Sequence, residues 1–176
     1  PEQKVLLASD AGYGFITELS NMVTKNTKGK AMLSVAKGCE ALPPAYVNNY
    51  ETDTLAAITT EGHMLVIPAA ALPELSKGKG NKIIQIPPAR VKNREEVLKL
   101  TAIIPQGATI KIHAGKRYIR QTPSNISDFV GERGRRGRKL PRGFRNADRI
   151  EVVRRESDGE VCEITNNKSQ ITNKSQ

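Results

Sequence analysis

The chain has 176 residues, a formal net charge of +10, 38% apolar residues and only 4% aromatic ones, with no Trp. That length suits one domain, or a few small repeats sharing a core built mostly from Ile, Leu, Val and Ala. The longest apolar run, from Met64 to Pro73, falls far short of the ~20 residues of a membrane-spanning helix, so no integral membrane protein is expected.

The chain opens on Pro1 rather than Met, with no basic segment leading into an apolar one. That reads as an interior piece of a longer protein without a secretory signal. From the start, a weak repeat of roughly 50 residues recurs, clear in the order of its parts. Each unit has a β-rich segment, a turn centred on Gly, a second β-rich segment and a loop of Gly with Lys or Arg. In unit one these are Lys4 to Ser9, the Asp10-Ala11-Gly12 turn, Gly14 to Thr17, and the loop Lys25-Asn26-Thr27-Lys28-Gly29-Lys30, followed by Ala31 to Val35.

Unit two has Leu55 to Thr59, the Thr60-Glu61-Gly62 turn, His63 to Ile67, the loop Lys77-Gly78-Lys79-Gly80-Asn81-Lys82, and Ile83 to Ile86. Unit three has Thr109 to His113, the Ala114-Gly115-Lys116 turn, Arg117 to Gln121, the loop 131–138, and Arg149 to Val153. The turn glycines step by 50 and 53 residues, and Gly29, Gly80 and Gly134 follow them at 17, 18 and 19. β-Branched segments with Gly turns predict hairpins, and only short helical turns are expected, at 68–75 and 123–130. Four strands per unit is the arithmetic of propeller-like blades that bury their faces against neighbours. The expected fold is therefore all-β: about three blades at roughly 1–50, 51–104 and 105–154, in an open or partial ring. The polar tail 155–176, with its near-duplicate 164–170 and 171–176, is expected to be disordered.

Charge is unevenly placed. Between Lys111 and Arg155 stand fourteen Lys or Arg against four carboxylates, so the whole excess of +10 lies there. Its densest part holds Arg133, Arg135, Arg136, Arg138, Lys139, Arg142 and Arg145, interleaved with Gly134, Gly137 and Gly143. Seven crowded cations repel unless a polyanion, counterions or water screens them, and glycine lets the backbone approach a phosphate.

Other chemistries find little support. Gly29-Lys30 and Gly115-Lys116 lack the following Ser or Thr of a P-loop. His63 and His113 sit beside turns with no second ligand at metal spacing, and Glu95-Glu96 reads as a solvated connector. Cys39 and Cys162 are too few for a disulfide scaffold and wrongly spaced for zinc, as in a protein of a reducing cytoplasm. No nucleophile constellation is visible, so no catalytic residue and no metal site is assigned.

Three stretches carry a family likeness: Lys4 to Phe15, Leu75 to Ile84, and Gly131 to Gly137. Together they resemble the C-terminal domain of the A-type subunit of bacterial type IIA topoisomerases, on the topoisomerase IV rather than the gyrase side. The resemblance covers residues 1 to 153. It implies a β-pinwheel of four-stranded blades with strand exchange between neighbours, binding and bending duplex DNA along a basic rim without reading its sequence. It also implies an A2B2 assembly, in which a B-type partner carries the ATPase and the rest of the A-type chain precedes this segment. ATP and Mg2+ would be used outside this segment, for decatenation and relaxation during chromosome segregation on the bacterial nucleoid. The gyrase box Gln-Arg-Arg-Gly-Gly-Lys-Gly is absent, which favours decatenation or relaxation over supercoiling. Arg117-Tyr118 imitates the family's cleavage-site pair, but Tyr118 lies in an expected strand and reads as structural.

The residues expected to meet DNA are Arg133, Arg135, Arg136, Arg138, Lys139, Arg142 and Arg145 in the third loop. Lys77, Lys79, Lys82, Lys25, Lys28 and Lys30 would extend the track, with Lys116 and Arg117 beside it. Two rivals remain: an RNA-binding or ribosome-associated β protein, and a propeller whose basic loops meet an acidic protein. No aromatic residue lies between Val130 and Pro141 to stack a base, which weighs against the first.

Overall fold

The structure, a computed structural model, describes residues 3–22, 33–35, 37–155, 161–165 and 171–172. Among these residues thirteen strands form three antiparallel sheets, as the expected all-β blade architecture requires. The first sheet contains β1 (Lys4–Ala8), β2 (Tyr13–Glu18), β3 (Ala45–Val47) and, from far along the chain, β6 (Asn81–Lys82), in the order β3-β1-β2-β6. The second contains β4 (Thr54–Thr59), β5 (His63–Pro68), β7 (Leu98–Ile104) and β10 (Arg138–Lys139), in the order β10-β5-β4-β7. The third contains β8 (Thr109–Ala114), β9 (Arg117–Gln121), β11 (Arg149–Arg155), β12 (Val161–Thr165) and β13 (Ile171–Thr172), in the order β13-β12-β11-β8-β9.

Strand parity explains the stacking. Successive side chains point to opposite faces of a strand. In the middle blade Leu55, Ala57, Leu65 and Ile67 face one core, shared with Leu6, Ala8 and Ile16 of the first blade. Their neighbours Ala56, Ile58, Met64 and Val66 face a second core, shared with Ile110, Ile112, Ile150 and Val152 of the third. Strands buried on both faces read as continuous apolar runs, which is why 55–58 and 64–67 show little alternation. Each large aliphatic side chain so buried contributes about 1.5–3 kcal/mol relative to exposure. On the third blade the same parity turns polar. Lys111, His113, Arg149 and Glu151 share its other face, with Glu151 Oε1 3.2 Å from His113 Nε2 and 3.6 Å from Arg149. That face ends the stack of described blades, as polar outer faces do in terminal repeats.

Strands pass between blades. The segment after the middle hairpin returns to the first blade, where Asn81 and Lys82 pair with Gly14 and Tyr13. The segment after the third hairpin returns to the middle blade, where Arg138 and Lys139 pair with Met64 and His63. The equivalence extends to single hydrogen bonds: Ile83 N–H donates to the Gly12 carbonyl at 2.7 Å, and Leu140 N–H to the Gly62 carbonyl at 2.8 Å. Sequence spacing set Gly80 against Gly134, but the fold sets it against Gly137. A Cβ on Gly80 would stand 2.1 Å from the Gly14 carbonyl oxygen, and one on Gly137 2.4 Å from that of Met64. Both glycines also have positive φ, +81° and +77°. Gly137→Ala is therefore expected to destabilise the protein by about 2 kcal/mol or more, from backbone collision and φ strain together. A urea melt of that variant checks the strand exchange.

Several elements differ from expectation. Strands β3 and β7 were not anticipated, nor the short helix α1 (Pro88–Lys92), which Pro at its start favours. The helical turn expected at 123–130 is α2 (Pro123–Ser127), capped by Thr122, whose hydroxyl accepts from the Asn125 N–H. The one at 68–75 is a 3-10 turn over Ala69–Ala71. In the tail, β12 and β13 form where disorder was expected. β11 leaves a row of unpaired N–H and C=O groups on its outer edge, and a polar strand satisfies those as well as an apolar one.

Candidate functional site

The two returning segments lie side by side. Residues 76–82 run toward β2, residues 131–139 run toward β5, and hydrogen bonds join one to the other. Gly134 N–H donates to the Ile83 carbonyl at 2.9 Å, and Gln85 N–H to the Arg135 carbonyl at 2.8 Å. The Arg133 guanidinium donates to the Lys82 carbonyl at 2.9 Å. The pattern repeats one step back along the stack, where Ser34 N–H donates to the Gly78 carbonyl at 2.8 Å. Sequence places Lys77, Lys79 and Lys82 some 50 residues from Arg133, Arg135, Arg138 and Lys139, and the fold joins them into one strip.

Lys77, Lys79, Arg133, Arg135, Arg138 and Lys139 are exposed, and Lys82 is half-buried with its ammonium on the neutral Gln85 Oε1 at 2.8 Å. The Lys79 ammonium lies 4.1 Å from the centre of the Tyr13 ring, which fixes its stem, and no carboxylate among the described residues pairs with it. Arg135 meets Glu132 at 3.1 Å, with both side chains largely in water (72% and 80% exposed). A surface pair like that is worth about 0–1 kcal/mol and exchanges readily for another anion.

Arg136 differs from its neighbours. Its guanidinium holds the Glu96 carboxylate with two bonds, 2.9 and 2.6 Å, and also reaches the Gln85 carbonyl at 3.2 Å. Glu96 is fully buried, and the Thr59 hydroxyl donates to it at 2.7 Å. The expectations for both residues are therefore corrected. Glu96 is no solvated connector residue, and Arg136 holds the loop against the blade rather than facing outward. A buried carboxylate needs a cation, and the loop supplies the nearer of two, Arg90 Nε standing 3.6 Å from the same oxygen.

The remaining sequence candidates lie elsewhere. Arg117 sits over the Phe144 ring at 5.5 Å, and Arg145 Nε donates to the Leu140 carbonyl at 3.2 Å. Arg142 and Lys116 are exposed beside them, toward the turn end of the third blade. No hydrogen bond among the described residues joins these four to the strip. Lys25, Lys28 and Lys30 lie outside the described residues. Sequence reasoning missed Glu96, Tyr13 and Gln85, whose roles depend on which strand returns to which blade.

Titration follows from this packing. Burial pushes the Glu96 carboxyl up, but the Arg136 fork and the Thr59 hydroxyl push it down further, so it lies below its ordinary 4.5. His63 is held below 6.5 by burial and then by Arg136, and its Nδ1 has no partner among the described residues. Both groups release protons more readily folded than unfolded. The stability from His63 is present above pH 6.5 and fades as pH falls through its folded value, and that from Glu96 is present above 4.5 and fades below it. Urea melts between neutral and acid pH are expected to show falling stability in two stages, and His63→Gln is expected to abolish the earlier one.

The family description "DNA gyrase C-terminal domain, beta-propeller" matches residues 3–42 and 53–103. The A-type subunit of DNA topoisomerase 4 from Pseudomonas aeruginosa is 48% identical over 147 residues, covering 84% of this chain and 20% of that protein. The Escherichia coli K12 counterpart is 44% identical over 161 residues, covering 90% and 21%. The chain thus spans about a fifth of the length of these relatives. Among solved structures, the C-terminal domain of E. coli ParC superposes with a TM-score of 0.79 at 44% identity, over 86% of this chain and 60% of that one. A DNA gyrase A C-terminal domain shares the fold at 10% identity, with a TM-score of 0.64 over 97% of this chain and 58% of that one. The family expected from the sequence is the one found. With just over half of its length matched by that description, its blades and exchanged strands in place, the chain belongs to the DNA gyrase C-terminal domain family of beta-propellers.

Proposed function

We propose that this chain is the duplex-DNA-binding C-terminal part of the A-type subunit of a bacterial topoisomerase IV. The observation that carries the reading is the strip of cations on two hydrogen-bonded returning loops. Its Lys and Arg side chains neutralise backbone phosphates and release counterions, which requires no base contact. Arg suits a phosphate because its planar fork donates two bonds at once.

The strip crosses from blade to blade. A duplex that stays on it follows the rim of the stack and bends. Bending 20–30 base pairs by 40–90° costs about 1–6 kcal/mol, which several phosphate contacts offset. In this reading the domain presents a segment for strand passage. Cleavage belongs to the rest of the same polypeptide, and ATP hydrolysis with Mg2+ to a B-type partner, in an A2B2 assembly in the bacterial cytoplasm.

Competition tests the reading. Labelled duplex bound to the full-length protein should be displaced by unlabelled duplex at much lower concentration than by single-stranded RNA of equal charge. Among the described residues the strip has an aromatic ring only at Tyr13, already covered by Lys79, and so offers no platform for stacked bases. Equal or better displacement by the RNA would overturn the assignment to duplex DNA.

A further inference from the structure

Behind the strip, between the Gly12 turn and α1, lies a groove of about 280 Å³. Its open apolar surface comes from Ala11, Pro88 and Val91, backed by the buried Ile84 and Ile86, and its rim carries Lys37, Lys79, Lys82 and Lys92. Among the described residues that line it there is no carboxylate. Asp10, at the Gly12 turn, is already bonded by Arg94 at 2.6 Å and by the Glu40 N–H at 3.1 Å. Cys39 on its wall stays a neutral thiol, because burial and then Asp10 push its pKa up.

We propose that this groove docks an acidic peptide segment bearing an apolar anchor, supplied by a partner protein. Three features select that occupant. A sugar–phosphate backbone has no apolar side chain to cover Pro88 and Val91, whereas a peptide can place one there while its carboxylates meet the rim. The rim cations are all Lys, point charges suited to several carboxylate positions, whereas the neighbouring loop 131–139 carries Arg forks that favour phosphate. The volume holds one or two apolar side chains and lies below the ~300–1,000 Å³ of small-molecule sites. Lys79 and Lys82 belong to both groove and strip, so the docked peptide draws on charge that the strip also uses. The docking itself does not depend on what the strip binds.

The probe is a fluorescein-labelled peptide of four glutamates flanking a central phenylalanine and leucine, followed by anisotropy on the full-length protein. Saturable binding is expected. It should weaken by about tenfold or more when serines replace the two apolar residues, since burying one such side chain is worth about 1.5–3 kcal/mol. A comparable loss is expected for Lys37→Gln combined with Lys92→Gln, two exposed positions whose neutralisation leaves the core intact and adds no carboxylate beside the strip. That variant should hold duplex DNA within about twofold of wild type, because neither lysine lies on the strip. Equal binding of the serine peptide, or full peptide binding by the variant, would overturn the proposal. So would a variant that loses duplex affinity while the wild type never binds the peptide, which would give the groove to DNA.

Discussion

Arg136→Ala is expected to lower the unfolding free energy by about 3 kcal/mol, the low end of the cost of removing one partner of a buried ion pair, since Arg90 remains 3.6 Å from the carboxylate. For a domain whose total stability is about 5–15 kcal/mol, that is a large share. The loss falls on Glu96, which is fully buried and accepts both bonds of the guanidinium. Replacing both partners by apolar residues, Glu96→Leu with Arg136→Met, should recover most of the loss, because the buried carboxylate is gone and the half-exposed Arg90 keeps Glu61 at 3.3 Å as its partner. A double-mutant cycle on urea melts measures that recovery. The same Arg136→Ala protein, kept well below its melting temperature, should bind duplex DNA within about twofold of wild type. Arg136 is thus expected to separate stability from binding, although composition alone cannot tell it from its neighbours.

The second large effect concerns Arg133, Arg135 and Arg138. Their replacement by Ala should leave the fold nearly as stable as wild type. Arg133 gives up a hydrogen bond to the Lys82 carbonyl in an exposed setting, and Arg135 a pair largely in water. Duplex affinity at about 0.1 M salt should fall by about tenfold to a hundredfold. The dependence of log K on log salt should flatten by about three contacts' worth, near 2.7. Unchanged affinity in the triple variant would remove the third loop from the interface.

These two expectations show how far the sequence carried. The hairpins were legible because Gly12, Gly62 and Gly115 recur at nearly constant steps and each has positive φ. The charge cluster was legible because linear density needs no fold to be seen. Assignment within the cluster was not legible, since Arg135 and Arg136 are adjacent and identical in type, yet one lies largely in water and the other on a buried carboxylate. Only the return of 131–139 to β5 brings Arg136 to a carboxylate 40 residues earlier in the chain. The same long-range pairing hid the match of Gly80 to Gly137, because local spacing favoured Gly134. β7 was missed although 98–104 is strongly apolar. It is the outer strand of the middle blade, alternating over Leu98 to Ala102 but buried throughout Ala102 to Ile104, so alternation, the usual mark of a strand, is lost at its end. The tail strands were missed because backbone pairing to β11 does not require the apolar content on which sequence reasoning relies.

Salt dependence of duplex binding by the wild-type protein tests the central claim most directly. The strip offers Lys77, Lys79, Lys82, Arg133, Arg135, Arg138 and Lys139. If each neutralises one phosphate, log K should fall with log salt at a slope of about −6. A slope near that value, reduced to about −3.5 in the Arg133, Arg135 and Arg138 variant, is the predicted result. A nearly flat slope would contradict it, because a grip built on phosphates cannot be indifferent to the ions it displaces.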